Sequence, residues 1–232
     1  ALGRRSFLKT LAAGAAPPLL GQTAGAAPSE RLTLAMVGMG KMMNGHLGYF
    51  LARPDVQVVA MCDVEAKRLD IQRRRANEVY AARSGASGYR GVDAYGDFRE
   101  VAARDDVDAV VIATPDHWHA LIGIAMAKSG KDIYSEKPLT LTINEGKALV
   151  GAVRDYGRVF QTGSQQRSNA NFRKACEYIR NGRLGKIKHV DIAIGGSGVT
   201  QAVPNTPPPP GLDWDLWLGP APFVPYNEKR CH

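Results

Sequence analysis

Two glycines at the junction between an apolar run and a helical stretch have the spacing of a phosphate-binding turn. Gly38 and Gly40 come directly after Leu32–Val37. The first glycine permits a tight turn, and the second lets the backbone approach a pyrophosphate at the positive end of the helix dipole. Met43 stands where the three-glycine motif has its last glycine. We predict that five consecutive residues of this turn contact a dinucleotide: Gly38, Met39, Gly40, Lys41 and Met42.

A carboxylate at the end of the next apolar run supports a dinucleotide site. Asp63 follows the run Val56–Met61, about twenty residues after the glycines. There a carboxylate accepts hydrogen bonds from the adenosine ribose hydroxyls and disfavours the additional phosphate of NADP. NAD is therefore the predicted cofactor, while Lys67 and Arg68 leave NADP open. The alternative is an ordinary surface aspartate that begins a helix.

Polar residues also follow the third strong strand, Asp108–Ala113. The loop after it contains Thr114, Pro115 and His119. Loops at the carboxyl ends of parallel strands face the ligand crevice, so this loop is a candidate part of the site. His117 and His119 are two residues apart and cannot share a helix face, so we predict no metal pair. Helix capping or packing is the alternative role for each histidine.

The next strand, Asp132–Ser135, leads to Glu136 and Lys137 on the same predicted side of the sheet. A lysine at that edge can donate a hydrogen bond to a substrate hydroxyl or lower the pKa of a neighbouring group. Gln165 and Arg167 follow the last strand of the set and are predicted to line the crevice.

The elements that must position these residues form a repeating pattern. Short apolar runs alternate with helical stretches from Leu32 to Thr162, with Asp97 and Thr142 as predicted helix N-caps. This alternation predicts an α/β fold, a Rossmann-type parallel sheet with helices on both faces.

The pattern changes after residue 168. A helix is predicted over Phe172–Asn181 and a half-buried strand over Lys186–Ile194, and four consecutive prolines, Pro207–Pro210, follow in an extended segment. One strand cannot bury itself, so these elements predict the start of an incomplete α+β second domain. The predicted domains are a Rossmann domain over 28–168 and the beginning of a substrate and oligomerisation domain over 169–232.

The first 27 residues are predicted to be an export signal outside the fold. Arg4–Lys9 matches the twin-arginine pattern, an apolar stretch follows, and Ala24–Ala26 offers small residues for cleavage. The apolar stretch is too short and too interrupted to span a membrane. We expect a periplasmic or secreted protein; a disordered basic tail is the alternative.

Composition disfavours other classes of protein. The net charge of +8 comes from 30 Lys and Arg against 22 Asp and Glu, but the basic residues are dispersed. The run Arg73–Arg75 fits the solvated face of a helix, so we predict no nucleic-acid partner. Three scattered cysteines form neither a disulfide framework nor a zinc motif.

Taken in order, the motifs resemble those of the Gfo/Idh/MocA oxidoreductases over nearly all of the chain that follows the export segment. The residues that carry this resemblance are Gly38-Met39-Gly40, Cys62-Asp63, Thr114-Pro115 with His119, Glu136-Lys137-Pro138, Gly163–Arg167 and Leu184–Ile187. The Pro-rich stretch with Asp213–Pro220 is similar to that of secreted members.

The resemblance implies hydride transfer between nicotinamide and a sugar or polyol carbon, with a small carbohydrate as the substrate. It implies cofactor contacts at Thr114, Pro115, His119 and Glu136, and a Lys137 that contacts the cofactor and also binds and polarises the reacting hydroxyl. The family also uses an aspartate and a histidine four residues apart in its second domain, and this sequence contains no such pair there. Family members associate through that domain, so a homo-oligomer is expected for the full-length protein.

Two other functions remain open at this point. Some exported relatives are NAD-dependent glycosidases, which oxidise a sugar transiently, eliminate the aglycone and return the hydride. The other possibility is a non-catalytic binding protein or a truncated fragment that holds the nucleotide without turnover.

Overall fold

The computed structural model describes residues 30–85, 89–196, 198 and 201–231. The predicted export segment, 1–27, therefore lies outside the described residues. Within the described residues, no helix is both long enough and apolar enough to cross a membrane.

Six strands and eight α-helices follow one another along the described chain. The strands are β1 (Leu32–Val37), β2 (Val56–Cys62), β3 (Asp93–Tyr95), β4 (Ala109–Ile112), β5 (Asp132–Glu136) and β6 (Phe160–Gly163). The helices are α1 (Lys41–Ala52), α2 (Ala66–Ser84), α3 (Phe98–Ala102), α4 (His119–Lys128), α5 (Ile143–Asp155), α6 (Ala170–Arg180), α7 (Trp214–Leu218) and α8 (Glu228–Cys231). Short 3₁₀ turns cover Asp116–Trp118 and Gln165–Ser168.

The strands form one sheet in the order β3-β2-β1-β4-β5-β6, and every neighbouring pair is parallel. This is the doubly wound order of a Rossmann domain, and it confirms the predicted fold class. Successive strands are added to one side of β1 up to β3 and to its other side from β4 onward, so the strand order reverses between β1 and β4. Ligands of such sheets bind in the crevice beyond the carboxyl ends of those two strands.

Two apolar clusters cover the two faces of the sheet. Met43 and Leu47 of α1 and Tyr80 of α2 pack on one face, and Ile122 and Met126 of α4 pack on the other. Helices therefore lie on both faces, as predicted. Burial on both faces explains why the central strands read as nearly continuous apolar runs rather than alternating ones.

The predicted N-caps are confirmed. The Asp97 carboxylate accepts the Arg99 amide at 2.9 Å at the start of α3. Thr142 and Glu145 form a reciprocal capping box at the start of α5, with the Glu145 amide 3.2 Å from Thr142 Oγ1. These bonds satisfy amides that a helix start otherwise leaves unpaired.

One predicted element is wrong. The segment Lys186–Ile194 carries no regular secondary structure, and its apolar side chains Ile187, Val190, Ile192 and Ile194 are exposed. No described strand lies beside it, so its backbone has no ladder partner, and alternation by itself does not make a strand. The predicted helix in this region is present as α6, and all of its side chains are also exposed.

Candidate functional site

A cavity of about 210 Å³ lies beyond the carboxyl ends of the adjacent strands β1 and β4. The turn after β1 contributes Gly38 and Gly40, and the end of β2 contributes Asp63. The loop after β4 contributes Thr114 and Pro115. The predicted nucleotide residues of three separate loops therefore meet at the topological switch point, where this fold binds ligands.

Gly38 fits its position because no side chain would. Its φ is +88°, and its N–H donates to the Cys62 carbonyl at 2.8 Å. A Cβ on this residue would lie 2.7 Å from the carbonyl oxygen of Ala113 and 2.8 Å from the Thr114 nitrogen. Glycine is what allows β1 and β4 to approach each other at the edge of the cavity.

Asp63 holds the turn together, which corrects part of the predicted phosphate contact. The Met39 N–H donates to Asp63 Oδ2 at 2.6 Å, and the Met39 side chain is buried in the core. The amides of Gly38 and Met39 thus already have hydrogen-bond acceptors. The sequence suggested that both amides were free to bind a phosphate, and in the structure they are not. α1 begins at Lys41 after Gly40, without a side-chain cap among the described residues, so its first-turn amides can donate hydrogen bonds to an anion.

The other Asp63 oxygen accepts the Glu65 amide at 2.8 Å. Burial raises the pKa of Asp63 above its ordinary value, while the hydrogen bonds from Glu65 and Met39 oppose that rise. Each carboxylate oxygen retains a second lone pair for a ligand hydroxyl. Glu65 also forms an ion pair with Arg68 at 2.8 Å, so the arginine that lines this cavity is already paired with a carboxylate.

Thr114 contributes an unsatisfied group. Its Oγ1 atom is buried and has no hydrogen-bond partner among the described residues. An unpaired buried hydroxyl costs about 1–3 kcal/mol, so its position at a cavity wall suits a ligand polar atom. The start of α1, which has no side-chain cap among the described residues, the partly buried Asp63 carboxylate and this hydroxyl together fit the phosphate and ribose groups of a dinucleotide.

His119 lies behind the cavity rather than in its wall. The ring is 2% exposed, with Nε2 2.9 Å from the Thr114 carbonyl oxygen and Nδ1 2.6 Å from the Pro138 carbonyl oxygen. The ring therefore ties the loop after β4 to the loop after β5. The structure supports the packing alternative for His119, with an indirect influence on the site through Thr114.

Glu136 is a buried carboxylate with a partner that the sequence analysis missed. It is 5% exposed, and its Oε1 lies 2.8 Å from His46 Nε2 and 3.4 Å from the Tyr134 hydroxyl. His46 lies on α1, three residues after the buried Met43. A polar residue on that apolar stripe requires a buried polar partner, and this spacing was the signal in the sequence.

Lys137, Gln165 and Arg167 are all exposed and do not line the nucleotide cavity. Lys137 directly follows β5, whose last residue, Glu136, pairs in register with Gly163 at the end of β6. Gln165 and Arg167 lie in the 3₁₀ turn that follows β6. The three residues thus share one edge of the sheet. Their contacts with substrate remain predictions.

The structure adds cavity residues from an unexpected part of the chain. Leu216 and Trp217 of α7 and Cys231 of α8 line the same cavity as Asp63. The domain prediction placed them in the second domain. The sequence drew attention to this tryptophan-rich segment after the prolines but did not place it beside the first domain.

Comparison with known families covers both parts of the chain. The family described as "Oxidoreductase family, NAD-binding Rossmann fold" matches residues 32–164, and its "C-terminal alpha/beta domain" matches residues 184–232. The first match covers more than half of the chain.

Individual relatives point the same way. A glycosyl hydrolase family 109 protein of Shewanella pealeana is 27% identical over 216 residues, 83% of this chain and 46% of the relative. Levoglucosan dehydrogenase of Pseudarthrobacter phenanthrenivorans is 32% identical over 160 residues, 68% of this chain and 39% of the relative. The chain thus spans less than half the length of these relatives.

A solved structure gives the same fold. Scyllo-inositol dehydrogenase from Lactobacillus casei, crystallised with NAD(H) and scyllo-inositol, matches with a TM-score of 0.57 and 22% identity. The match covers 67% of this chain and 42% of that one.

Proposed function

The chain belongs to the Gfo/Idh/MocA oxidoreductase family, and from that premise we propose that the complete protein transfers a hydride between a nicotinamide cofactor and an alcohol carbon of a sugar or polyol. The observation that carries the proposal is the cavity at the β1/β4 switch point, where Asp63, the uncapped start of α1 and the Thr114 hydroxyl converge. Bound nicotinamide supplies the hydride acceptor or donor.

The protein groups have separate roles in this proposal. The first-turn amides of α1 bind the pyrophosphate, and Asp63 binds a ribose. Lys137 donates a hydrogen bond to the hydroxyl oxygen of the substrate and stabilises the negative charge that develops there, while the hydroxyl proton passes to a general base, which in this family is a histidine of the second domain. His119 and the His46–Glu136 pair hold the loops on which Thr114 and Lys137 lie.

The test is to replace Lys137 with alanine in the full-length protein. We expect turnover on a sugar substrate to fall at least about a hundredfold, the usual scale for loss of one charge-stabilising group, while NAD affinity changes by less than about threefold. Lys147→Ala, which removes an exposed lysine from α5, is the control and should change neither. Equal losses of turnover and NAD affinity in Lys137→Ala would defeat the assignment.

NAD rather than NADP is proposed as the preferred cofactor. Asp63 and Glu65 place two carboxylates beside the predicted ribose, and Arg68 is paired with Glu65. A 2′-phosphate there would meet like charge, which disfavours binding. Titration with both nucleotides should give the lower Kd for NAD, and a lower Kd for NADP would contradict this reading.

A second candidate activity is supported by several relatives that are named as glycosyl hydrolase family 109 proteins. The glycosyl hydrolase family 109 protein aligns with 83% of this chain, so an NAD-dependent glycosidase is the alternative. Such an enzyme oxidises the sugar, eliminates the aglycone, adds water and returns the hydride, so no net redox change occurs. Aglycone release from a glycoside without accumulation of NADH would select this activity over a dehydrogenase.

Export and assembly are also proposals. The Arg4-Arg5-Ser6-Phe7-Leu8-Lys9 motif supports twin-arginine export to the periplasm or medium. Replacing both arginines with lysine should retain the protein in the cytoplasm, and unchanged export would exclude that route.

A homo-oligomer is proposed for the full-length protein, with light scattering as its test.

A further inference from the structure

We propose that the segment 211–231 forms a wall of the nucleotide cavity that covers the adenosine half of bound NAD and slows its release. This inference depends on the NAD binding in the proposed function and does not depend on the sugar chemistry. Asp63, the predicted ribose-binding residue, lines the same cavity as Leu216, Trp217 and Cys231, which places these three residues beside the adenosine.

The segment is held to the first domain at its start. The Ala66 amide donates to the Gly211 carbonyl at 2.8 Å, and the Asp213 amide donates to the Val64 carbonyl at 3.0 Å. Between these bonds, Glu65 and Leu212 form an antiparallel bridge. The wall therefore begins on the residues that directly follow Asp63.

A second set of contacts fixes α7 against the loop after β4. The Trp118 indole N–H donates to the Leu216 carbonyl at 2.9 Å, and His117 Nε2 lies 2.9 Å from the Trp217 carbonyl. The Trp118 ring also packs on Gly219, where a Cβ would overlap the ring. His117 and Trp118 thus hold the backbone of this segment, a role that the sequence left open.

The segment also has a small core of its own. The rings of Trp214 and Trp217 stack with centroids 4.8 Å apart and planes 14° apart, and Tyr226 packs edge-on against Trp214 at 5.1 Å. The Trp214 indole N–H donates to the Val224 carbonyl at 2.9 Å. These contacts fix the orientation of Trp217 before any nucleotide is bound, which lowers the entropic cost of binding.

The position of this wall predicts a kinetic effect. Trp217 and Leu216 give the cavity apolar lining in addition to the Asp63 carboxylate, which suits the apolar faces and polar edges of adenosine. Because the segment is attached on both sides of Leu216, nucleotide release is expected to require displacement of α7. We therefore expect slow exchange.

The three cysteines provide a direct test in the natural protein. Cys231 lines the cavity and is partly exposed. Cys176 on α6 is exposed and does not line the cavity, so it is the control, and Cys62 is buried. The rates of alkylation by N-ethylmaleimide are measured in the full-length protein by peptide mass spectrometry, with and without saturating NAD. NAD occupancy is measured separately by equilibrium dialysis.

The expected result is that NAD slows alkylation of Cys231 at least about tenfold and leaves the rate at Cys176 unchanged. If NAD is bound and Cys231 still reacts at the same rate, the wall does not cover the nucleotide and the inference is wrong. If dialysis shows no bound NAD, the proposed function itself fails, so the two failures are distinguishable.

A pair of variants tests the contribution of the aromatic wall. Stacking of one base on an aromatic side chain contributes about tenfold to a hundredfold in affinity, so Trp217→Ala should speed NADH release by about that factor in a stopped-flow chase. Phe223→Ala is the matched control, because Phe223 is an exposed aromatic of the same segment that does not line the cavity. Identical release rates in the two variants would overturn the inference. If Trp217→Ala does not fold, the alkylation experiment on the natural protein still decides.

Discussion

Replacing Gly38 with alanine is expected to push the end of β1 away from the end of β4 and to destabilise the nucleotide cavity between them. The residue has φ +88°, where an L side chain costs about 1–2 kcal/mol. The new Cβ would meet three backbone atoms at 2.7–2.8 Å. Backbone atoms cannot rotate away as a side chain can, so relief of this overlap adds about 1–3 kcal/mol.

The two contributions together predict a loss of about 2–5 kcal/mol in the free energy of unfolding, or at least about thirtyfold in the folding equilibrium. Urea denaturation followed by fluorescence measures this loss, and NAD titration of the folded fraction measures the accompanying loss of affinity. A change below about 0.5 kcal/mol with unchanged NAD affinity would refute the reasoning, because it would mean that the turn tolerates a side chain.

Gly45 is the control for this substitution. It lies within α1, only seven residues after Gly38, and a Cβ there would meet no atom within 4 Å. Gly45→Ala should raise the free energy of unfolding by about 0.5–1 kcal/mol, because alanine is the better helix former. Opposite signs for the two variants would show that local geometry, and not the loss of a glycine as such, determines the effect.

Three further predictions follow from particular contacts. Burial raises the pKa of Asp63, so NAD affinity should begin to fall at a pH above the usual aspartate range as the pH is lowered. In the apoprotein the same raised pKa stabilises the folded state at low pH, and this stabilisation is lost as the pH rises through the folded pKa. A pH series of NAD titrations and urea melts checks both effects. His46→Ala leaves the Glu136 carboxylate without its closest partner and should cost about 3 kcal/mol in urea denaturation, whereas His189→Ala, which removes an exposed pair, should change stability by less than about 0.5 kcal/mol. Thr142→Ala should cost about 1 kcal/mol by loss of the α5 capping box, and an unchanged denaturation midpoint would contradict that.

The locations of the predicted residues differ in how local their determinants are. The turn at Gly38 and the N-caps at Asp97 and Thr142 each depend on a few neighbouring residues, and all three are present as predicted. The strand over Lys186–Ile194 failed because a strand requires a partner elsewhere in the chain. The Met39 amide was predicted to be free because its acceptor, Asp63, lies 24 residues away in sequence.

The sequence by itself determined the parallel α/β fold and the loops from which a nucleotide site is built. Apolar periodicity, glycine turns and helix caps are set within a few residues of chain, so they are legible without coordinates. Only the tertiary structure decided that His119 braces two loops, that His46 meets Glu136, and that the segment 211–231 returns to line the cavity. Each of these contacts joins parts of the chain that are distant in sequence, and their pairing follows from how the packed elements bring side chains together in space, which no local pattern encodes.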